Sequence, residues 1–297
     1  MQLHKLTIKD KKLFGNFLSF HKHELSAYAF ENIYIWKGLY QIYWAKILDS
    51  LCVFFKDKMG CFLYLAPLGK DREPEVVKEA FRVMNSFNQN KAISRIENIE
   101  EKDLSFYQAL GYDCRYKFSD YLCKREDLVQ LKGDRFKSKR ACYNYFIKHY
   151  KAKYLPFSLK YKTDCLKLYQ QWMQDRQAQN QEPVYQGLLA DSRNALKILL
   201  GSPLDFIGRI VMIDSRMKAF TFGFRLNSDT FCILYEIADL SIKGLSQFIF
   251  RAFARELKDF RFINIMDDSG LENLKRVKLS YHPARLAPAY IAQEKNG

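Results

Sequence analysis

The sequence predicts an α/β protein with mixed sheets that is built from two similar halves. Short apolar runs, which suit buried strands, alternate with longer stretches whose apolar residues recur at helical spacing. The order strand, helix, strand, short helix occurs in both halves of the 297 residues, and such self-similarity indicates a duplicated unit. With 48% apolar and 27% charged residues, the composition is that of an ordinary globular protein.

The first half is predicted to open with a helical segment over residues 6–25, where apolar and basic residues alternate at helical spacing. Three strands follow at 40–47, 51–55 and 61–65. Residues 57–60, which read Asp-Lys-Met-Gly, suit a hairpin turn between the last two strands.

A helix, a strand and a short helix complete the first half. Pro74 suits a first helical turn, and the apolar residues after it lie on one helix face. A strand is predicted at 92–99, and the segment 106–112 is predicted to form a short helix and its exit.

The second half repeats this order after two initial helices. The predicted strands are 156–161, 205–213, 217–225, 231–237 and 262–266. The predicted helices are 164–179, 185–200, 247–260 and 271–279.

Two stretches of the second half carry a resemblance to a known fold. Residues 235–246 lead from a strand through a turn with Gly244 into a helix. Residues 262–281 form a strand that ends in acids, then a short helix closed by Tyr281. These stretches resemble the phosphate-binding turn and the final elements of GNAT acyltransferases.

The first half carries a matching signature, because Tyr107 and Gly111 fit the Tyr-x-x-x-Gly-aromatic pattern of many GNAT proteins. Nearly the whole chain resembles the family named for the C-terminal domain of phosphatidylglycerol lysyltransferase, in which two GNAT folds stand in tandem. The resemblance implies tandem GNAT-like acyltransferase folds, with an N-terminal domain over 1–125, a basic connector helix over 126–150, and a C-terminal domain over 151–297 that carries the active site.

The same resemblance implies that the protein transfers an acyl group to an amine or hydroxyl acceptor. The expected donor is aminoacyl-tRNA, the expected acceptor is a phosphatidylglycerol-like lipid or another amine or hydroxyl compound, and no tightly bound cofactor is expected. Two alternatives stay open: an N-acyltransferase that uses acyl-coenzyme A, and a non-catalytic module that binds RNA or an anionic membrane.

Donor phosphates are expected at the turn before the helix at 247–260, where backbone N–H groups can hold an anion. The usual GNAT turn reads Gln/Arg-x-x-Gly-x-Gly/Ala, and here its three defining positions hold Ser241, Gly244 and Ser246. The leading basic residue is missing, although Lys243 supplies a charge, so acyl-coenzyme A is in doubt without being excluded. Arg285, in the terminal strand, is a further anion-binding candidate.

Acyl transfer needs a proton acceptor, and the candidates are acids at the carboxyl ends of adjacent predicted strands. They are Glu236, Asp239, Asp267 and Asp268. Glu236 lies inside an apolar strand, where an unpaired charge is costly, so it is either paired with an arginine or part of the site. Asp267 and Asp268 have the alternative role of capping acids at the start of a helix.

Two further candidates occupy the place of the general-acid tyrosine that many GNAT enzymes carry. Tyr107 holds this place in the first half and Arg276 holds it in the second. An arginine cannot donate a proton at neutral pH, but it can stabilise an oxyanion or bind phosphate. The alternative role for Arg276 is that of a solvated helix residue.

A basic segment joins the two halves. Residues 132–153 contain eight Lys or Arg against one acid, with aromatic residues between them. The residues predicted to contact nucleic-acid or lipid phosphates are Arg135, Lys137, Lys139, Arg140 and Lys148. The alternative is a solvated face on a helix that packs against the core.

Composition narrows the partners and the compartment. The 48 basic and 33 acidic residues give a net charge of +15, which favours tRNA or an anionic phospholipid surface as a partner, although a generally basic proteome gives the same excess. The seven cysteines form no CxxC pair, so we expect free thiols and no metal site. No apolar run approaches a membrane span and the N-terminus lacks a signal-peptide core, so we expect a cytoplasmic protein that can associate with a membrane peripherally.

Overall fold

The computed structural model describes residues 2–295, which group by their contacts into two units. The first unit contains the described residues up to Asp120, together with Asp267–Leu271 and the residues from Leu286 onward. The second unit contains Tyr121–Met266 and Glu272–Arg285.

The helices and strands alternate along the chain as an α/β protein requires. The α-helices are α1 (Lys11–Leu18), α2 (Phe30–Tyr34), α3 (Pro74–Phe87), α4 (Leu104–Ala109), α5 (Arg125–Gln130), α6 (Lys137–His149), α7 (Lys162–Gln179), α8 (Pro183–Gly201), α9 (Leu245–Glu256) and α10 (Glu272–Leu279). The strands are β1 (His4–Lys5), β2 (Gln41–Ile47), β3 (Ser50–Lys56), β4 (Cys61–Leu63), β5 (Arg95–Glu100), β6 (Asp113–Lys124), β7 (Ala152–Pro156), β8 (Ile207–Ile213), β9 (Arg216–Arg225), β10 (Thr230–Ala238), β11 (Phe262–Asn264) and β12 (Arg285–Gln293).

The first unit is a mixed sheet with strand order β1-β2-β3-β4-β5-β12, followed by β6. Strands β4 and β5 of this sheet are parallel and meet at Leu63 and Ile96. Helix α3 buries one apolar stripe against this sheet, as its amphipathic sequence predicts. Tyr112, just after α4, stacks on Phe81 of α3 with ring centroids 4.7 Å apart.

The second unit repeats this plan with the strand order β6-β11-β10-β9-β8-β7, in which β10 and β11 form the parallel pair. Helix α9 packs its apolar face into a core that includes Phe231, Phe253 and Ile263. Tyr281, just after α10, packs on Phe250 of α9 with centroids 4.6 Å apart. The two units therefore close their short helices in the same way.

The predicted α/β class with mixed sheets is confirmed, but several boundaries differ. The segment 6–25 contains only a 3₁₀ turn and the eight-residue α1, and the predicted strand 156–161 is replaced by the earlier β7. The basic connector lies inside the second unit, and β12 pairs with β5 of the first unit. The two units are therefore not continuous stretches of the chain, because the terminal strand pairs with a strand far away in sequence.

No helix within residues 2–295 combines the length and apolarity of a membrane span. The same residues include no group of three or more His, Cys, Asp or Glu side chains arranged to hold a metal ion.

Candidate active site

The second unit contains a gap where β10 and β11 separate. The two strands pair only from Thr230 to Cys232 of β10, and β11 ends at Asn264. The Asn264 side chain accepts a hydrogen bond from the Met266 N–H at 2.6 Å, and the positive φ of Met266 turns the chain there. Strand β10 continues to Ala238 beside β9, so its last residues lie at an edge that β11 does not cover.

Glu236 lies on this uncovered part of β10, opposite Thr221 of β9. Its side chain is partly buried, and among the described residues it has no hydrogen bond and no ion pair within 4 Å. Burial raises the pKa of Glu236 to about 8, against the opposing effect of the Lys139 ammonium. A carboxyl with a pKa near neutrality can take up and release a proton at physiological pH.

Lys139 of α6 and Tyr281 complete this cluster. The Lys139 Nζ lies 3.7 Å from the centroid of the Tyr281 ring, a cation–π contact. Burial lowers the pKa of Lys139, and the charge of Glu236 opposes that shift. Burial also raises the pKa of Tyr281 well above its usual value, so its hydroxyl keeps its proton. Cys123 lies nearby, but burial raises the pKa of its thiol to about 12, which makes it a poor nucleophile.

The position of Lys139 differs from the exposed phosphate contact that the charge run predicted. Phe136, Tyr143 and Phe146 are buried, and Lys139 follows the same helical spacing of three to four residues. Lys139 is therefore on the inward stripe of α6, although Lys137 and Ser138 just before it are exposed. The helical periodicity of the sequence, rather than its density of charge, distinguishes Lys139 from the exposed basic residues of α6.

The turn before α9 also differs from an open phosphate-binding loop. Gly244 has a φ of +85°, and a Cβ at this position would lie 2.0 Å from the backbone carbonyl oxygen of Cys142 on α6. The Ser241 N–H and Oγ both donate to Asp239, and the Lys243 Nζ lies 4.7 Å from the Tyr145 ring centroid. Glycine is thus required because α6 packs directly on the turn. Ser246, in the first turn of α9, is partly buried.

The other predicted acids have structural partners. Asp239 forms an ion pair with Lys218 of β9 at 2.8 Å, and although burial opposes it, hydrogen bonds from Lys218 and Ser241 lower the pKa of Asp239. Asp267 and Asp268 belong to the first unit, where each accepts a hydrogen bond from a backbone N–H two residues later. These two acids therefore stabilise the turn that precedes α10.

The structure brings none of the remaining catalytic or anion-binding candidates into the Glu236 cluster. Tyr107 lies in the first unit with its ring fully buried, and burial strongly raises its pKa. Arg276 is exposed on α10. The Arg285 guanidinium lies 4.7 Å from the centroid of the Phe262 ring.

The predicted phosphate-contact residues divide into two groups. Arg135, Lys137 and Lys148 are exposed, with Arg135 in a surface ion pair to Asp127 at 3.1 Å. Arg140 instead donates to the carbonyl oxygens of Leu131 and Gly133, so it holds the loop before α6. The exposed group is the one that a polyanion can reach, with the Arg135 side chain shared with Asp127.

Each half contains a parallel strand pair, a long helix and a short helix closed by a tyrosine. This arrangement defines a tandem GNAT acyltransferase fold. The chain belongs to the family described as "Phosphatidylglycerol lysyltransferase, C-terminal", whose model matches residues 19–293. No curated protein sequence matches the chain.

Solved structures agree with this fold. A conserved protein of unknown function from Bacteroides thetaiotaomicron is 25% identical, with a TM-score of 0.84 over 99% of this chain and 100% of that chain. L-PGS from Bacillus licheniformis is 14% identical, with a TM-score of 0.69 over 99% of this chain and 94% of that chain. A tandem GNAT protein from the clavulanic acid biosynthesis pathway is 9% identical, with a TM-score of 0.51 over 100% and 99% of the two chains. Family and fold together indicate a transferase of the tandem GNAT acyltransferase type.

Proposed function

We propose that the protein transfers an aminoacyl group from aminoacyl-tRNA to a phosphatidylglycerol-like lipid, or to another hydroxyl or amine acceptor. The chemistry belongs to the second unit. The observation that carries this proposal is the cluster at the uncovered end of β10, where Glu236 lies near Lys139 and Tyr281 with no hydrogen bond or ion pair of its own among the described residues.

The residues of this cluster suit ester aminolysis or transesterification. The acceptor oxygen or nitrogen bonds to the ester carbon of the aminoacyl group while Glu236 takes the proton of the nucleophile. The Lys139 ammonium and the Tyr281 hydroxyl stabilise the negative charge that develops on the carbonyl oxygen. The bond between that carbon and the ribose oxygen then breaks, and Glu236 returns the proton to the leaving oxygen.

The choice of donor follows from the packing at Gly244. A turn that holds a pyrophosphate offers open backbone N–H groups at a helix start, whereas here the Cys142 carbonyl lies against the turn. Exposed cations on and beside α6, namely Arg135, Lys137 and Lys148, suit phosphates that are spread over a large polyanion. Both features favour tRNA over coenzyme A, and the likeness to L-PGS is in keeping with them. We propose a cytoplasmic site of action, at a membrane surface when the acceptor is a lipid.

The test offers the purified protein a pool of labelled aminoacyl-tRNAs and, separately, a panel of acyl-coenzyme A compounds. Each donor is combined with phosphatidylglycerol vesicles and with soluble amines. We expect loss of label from tRNA that depends on the acceptor. The rate is expected to rise with pH and to reach half of its maximum at about pH 8, where half of the Glu236 side chains are ionised. Thiol release without tRNA deacylation assigns the protein to the acyl-coenzyme A class. Consumption of neither donor assigns it to the binding modules.

A further inference from the structure

The hairpin turn between β3 and β4, in the first unit, presents an exposed apolar side chain on a rigid backbone. The Asp57 carboxylate accepts hydrogen bonds from the N–H groups of Met59 at 2.8 Å and Gly60 at 3.1 Å, and the Asp57 N–H donates to the Gly60 carbonyl. Met59 is 77% exposed, the largest exposed fraction among the large apolar side chains of the described residues. The carboxylate of Asp57, the one acid of the turn, thus bonds to backbone N–H groups of the turn.

A second exposed apolar residue lies beside this hairpin. Phe87, the last residue of α3, is 40% exposed, and the Lys56 Nζ lies 4.2 Å from its ring centroid. The next residue, Asn88, bonds the N–H and the carbonyl of Cys61 in β4, both at 2.7 Å. These hydrogen bonds fix the end of α3 to the hairpin, so that Met59 and Phe87 belong to one rigid surface.

Cations surround a cavity at the same place. The cavity has a volume of about 630 Å³ and is lined by Lys37, Lys56 and Lys58 together with Asp57. Lys37 and Lys58 are exposed, and the Lys37 Nζ is held by the Tyr34 hydroxyl at 2.6 Å. The lining thus contains three lysines and one acid, whose carboxylate the turn already uses, so the cavity is suited to a phosphate group.

We propose that this hairpin patch, defined as Lys37, Lys56, Lys58, Met59 and Phe87, docks the protein on an anionic phospholipid bilayer. Met59 and Phe87 enter the interfacial region, and the lysines meet lipid phosphates. A bilayer fits better than RNA because a methionine tip offers no stacking surface for bases, and Lys56 already covers a face of Phe87. The surface lies in the first unit and does not depend on the chemistry proposed for the second.

The test is co-sedimentation of the full chain with vesicles of phosphatidylcholine alone or with added phosphatidylglycerol. We expect binding to the anionic vesicles that weakens with salt. Lys58→Gln is expected to weaken binding about fivefold, in line with the contribution of one lysine near an anionic surface. Met59→Asp is expected to weaken it about tenfold or more, because a charge replaces the inserted side chain. The matched control is Leu48→Asp, at the opposite end of β3, where Leu48 is 66% exposed.

Several outcomes overturn the proposal. The first is absence of binding to anionic vesicles, and the second is an equal loss of vesicle affinity in Leu48→Asp and Met59→Asp. The third is that the patch variants weaken binding of single-stranded RNA but leave vesicle binding unchanged. Thermal unfolding of each variant separates loss of the surface from loss of the fold. Transfer to a soluble acceptor is expected to be unchanged in Met59→Asp, so failure of the docking surface is distinguishable from failure of the proposed reaction.

Discussion

Glu100 of the first unit and Glu236 of the second unit are partly or fully buried acids with opposite surroundings. In the first unit, Glu100 accepts from His23 at 2.8 Å and from the Glu24 N–H at 2.8 Å, and it forms an ion pair with Lys102 at 2.7 Å. Although burial opposes it, these partners lower the pKa of Glu100 to about 2. In the second unit, Glu236 has no such partners among the described residues, and burial raises its pKa to about 8.

Two further side chains of the first unit, His21 and Arg72, also have well-defined hydrogen-bond partners. His21 lies within hydrogen-bond distance of the Gly69 and Lys70 carbonyls, at 3.0 and 2.9 Å. Arg72 makes a bidentate pair with Asp103 at 2.9 and 2.8 Å. Partners thus stabilise the charge of Glu100, whereas Glu236 has the raised pKa that the proposed proton transfer requires.

Exchange of the two acids for amides separates these roles most strongly. Glu236→Gln removes the proton acceptor, so the transfer rate is expected to fall at least about a hundredfold. The free energy of unfolding at neutral pH is expected to rise, because the cost of keeping a buried acid is removed. Glu100→Gln breaks a buried pair and is expected to lower the free energy of unfolding by about 3 kcal/mol while the folded fraction keeps its activity. Rates and denaturant titrations of both variants check this. Equal loss of rate in both would erase the distinction between the units.

Gly244→Ala tests whether α6 packing, rather than a ligand, dictates the turn. The left-handed φ costs an alanine about 1–2 kcal/mol, and contact with the Cys142 carbonyl adds to this, so we expect a loss of about 3 kcal/mol or more. Gly133→Ala is the matched control in the same unit, since its φ is +82° and its Cβ would meet nothing within 4 Å. Unfolding free energies that fall equally in the two variants would contradict the packing account.

Glu100 and Glu236 are expected to make the free energy of unfolding depend on pH in opposite directions. The folded pKa of Glu100 is below the unfolded value of about 4.3, so its contribution of about 3 kcal/mol is present above that pH and is lost as the pH falls towards 2. The folded pKa of Glu236 is above its unfolded value, so its contribution is present below pH about 4.3 and is lost as the pH rises through about 8. The free energy of unfolding is measured between pH 3 and pH 9. Its fall at high pH is expected to be absent in Glu236→Gln, and its fall at low pH is expected to be absent in Glu100→Gln.

The exposed cations of the second unit are expected to have the smallest effect. Replacing Arg135, Lys137 and Lys148 with alanine is expected to weaken tRNA binding and to reduce the slope of log K against log salt by about 2 to 3. Lys160, Lys197 and Lys258 are exposed in the same unit and provide a control of equal charge change. If both triple variants bind alike, net charge rather than this surface attracts tRNA.

Local pattern predicted much of this architecture. The alternation of strand and helix patterns predicts the α/β class. The position of Glu236 as an acid inside an apolar strand indicates a candidate site residue. Around Lys139 two patterns disagree: the density of charge favours an exposed phosphate contact, whereas the helical spacing with the buried Tyr143 and Phe146 indicates an inward position.

Long-range contacts account for what the sequence did not reveal. The Cys142 carbonyl lies against Gly244, and Ala289 of β12 pairs with Glu100 of β5. No local pattern encodes such pairs, because the partners are far apart in the chain. The same limit applies to Asp239, because no local pattern predicts its ion pair with Lys218 of β9.

The most direct test of this account is a pH titration of the side-chain carboxyl carbons by ¹³C NMR, with the Glu236 signal assigned from its loss in Glu236→Gln. The account predicts a midpoint near 8 for Glu236 and near 2 for Glu100 in the same sample. A Glu236 midpoint close to the ordinary value of about 4.3 would contradict it, because the second unit would then hold no carboxyl poised near neutrality.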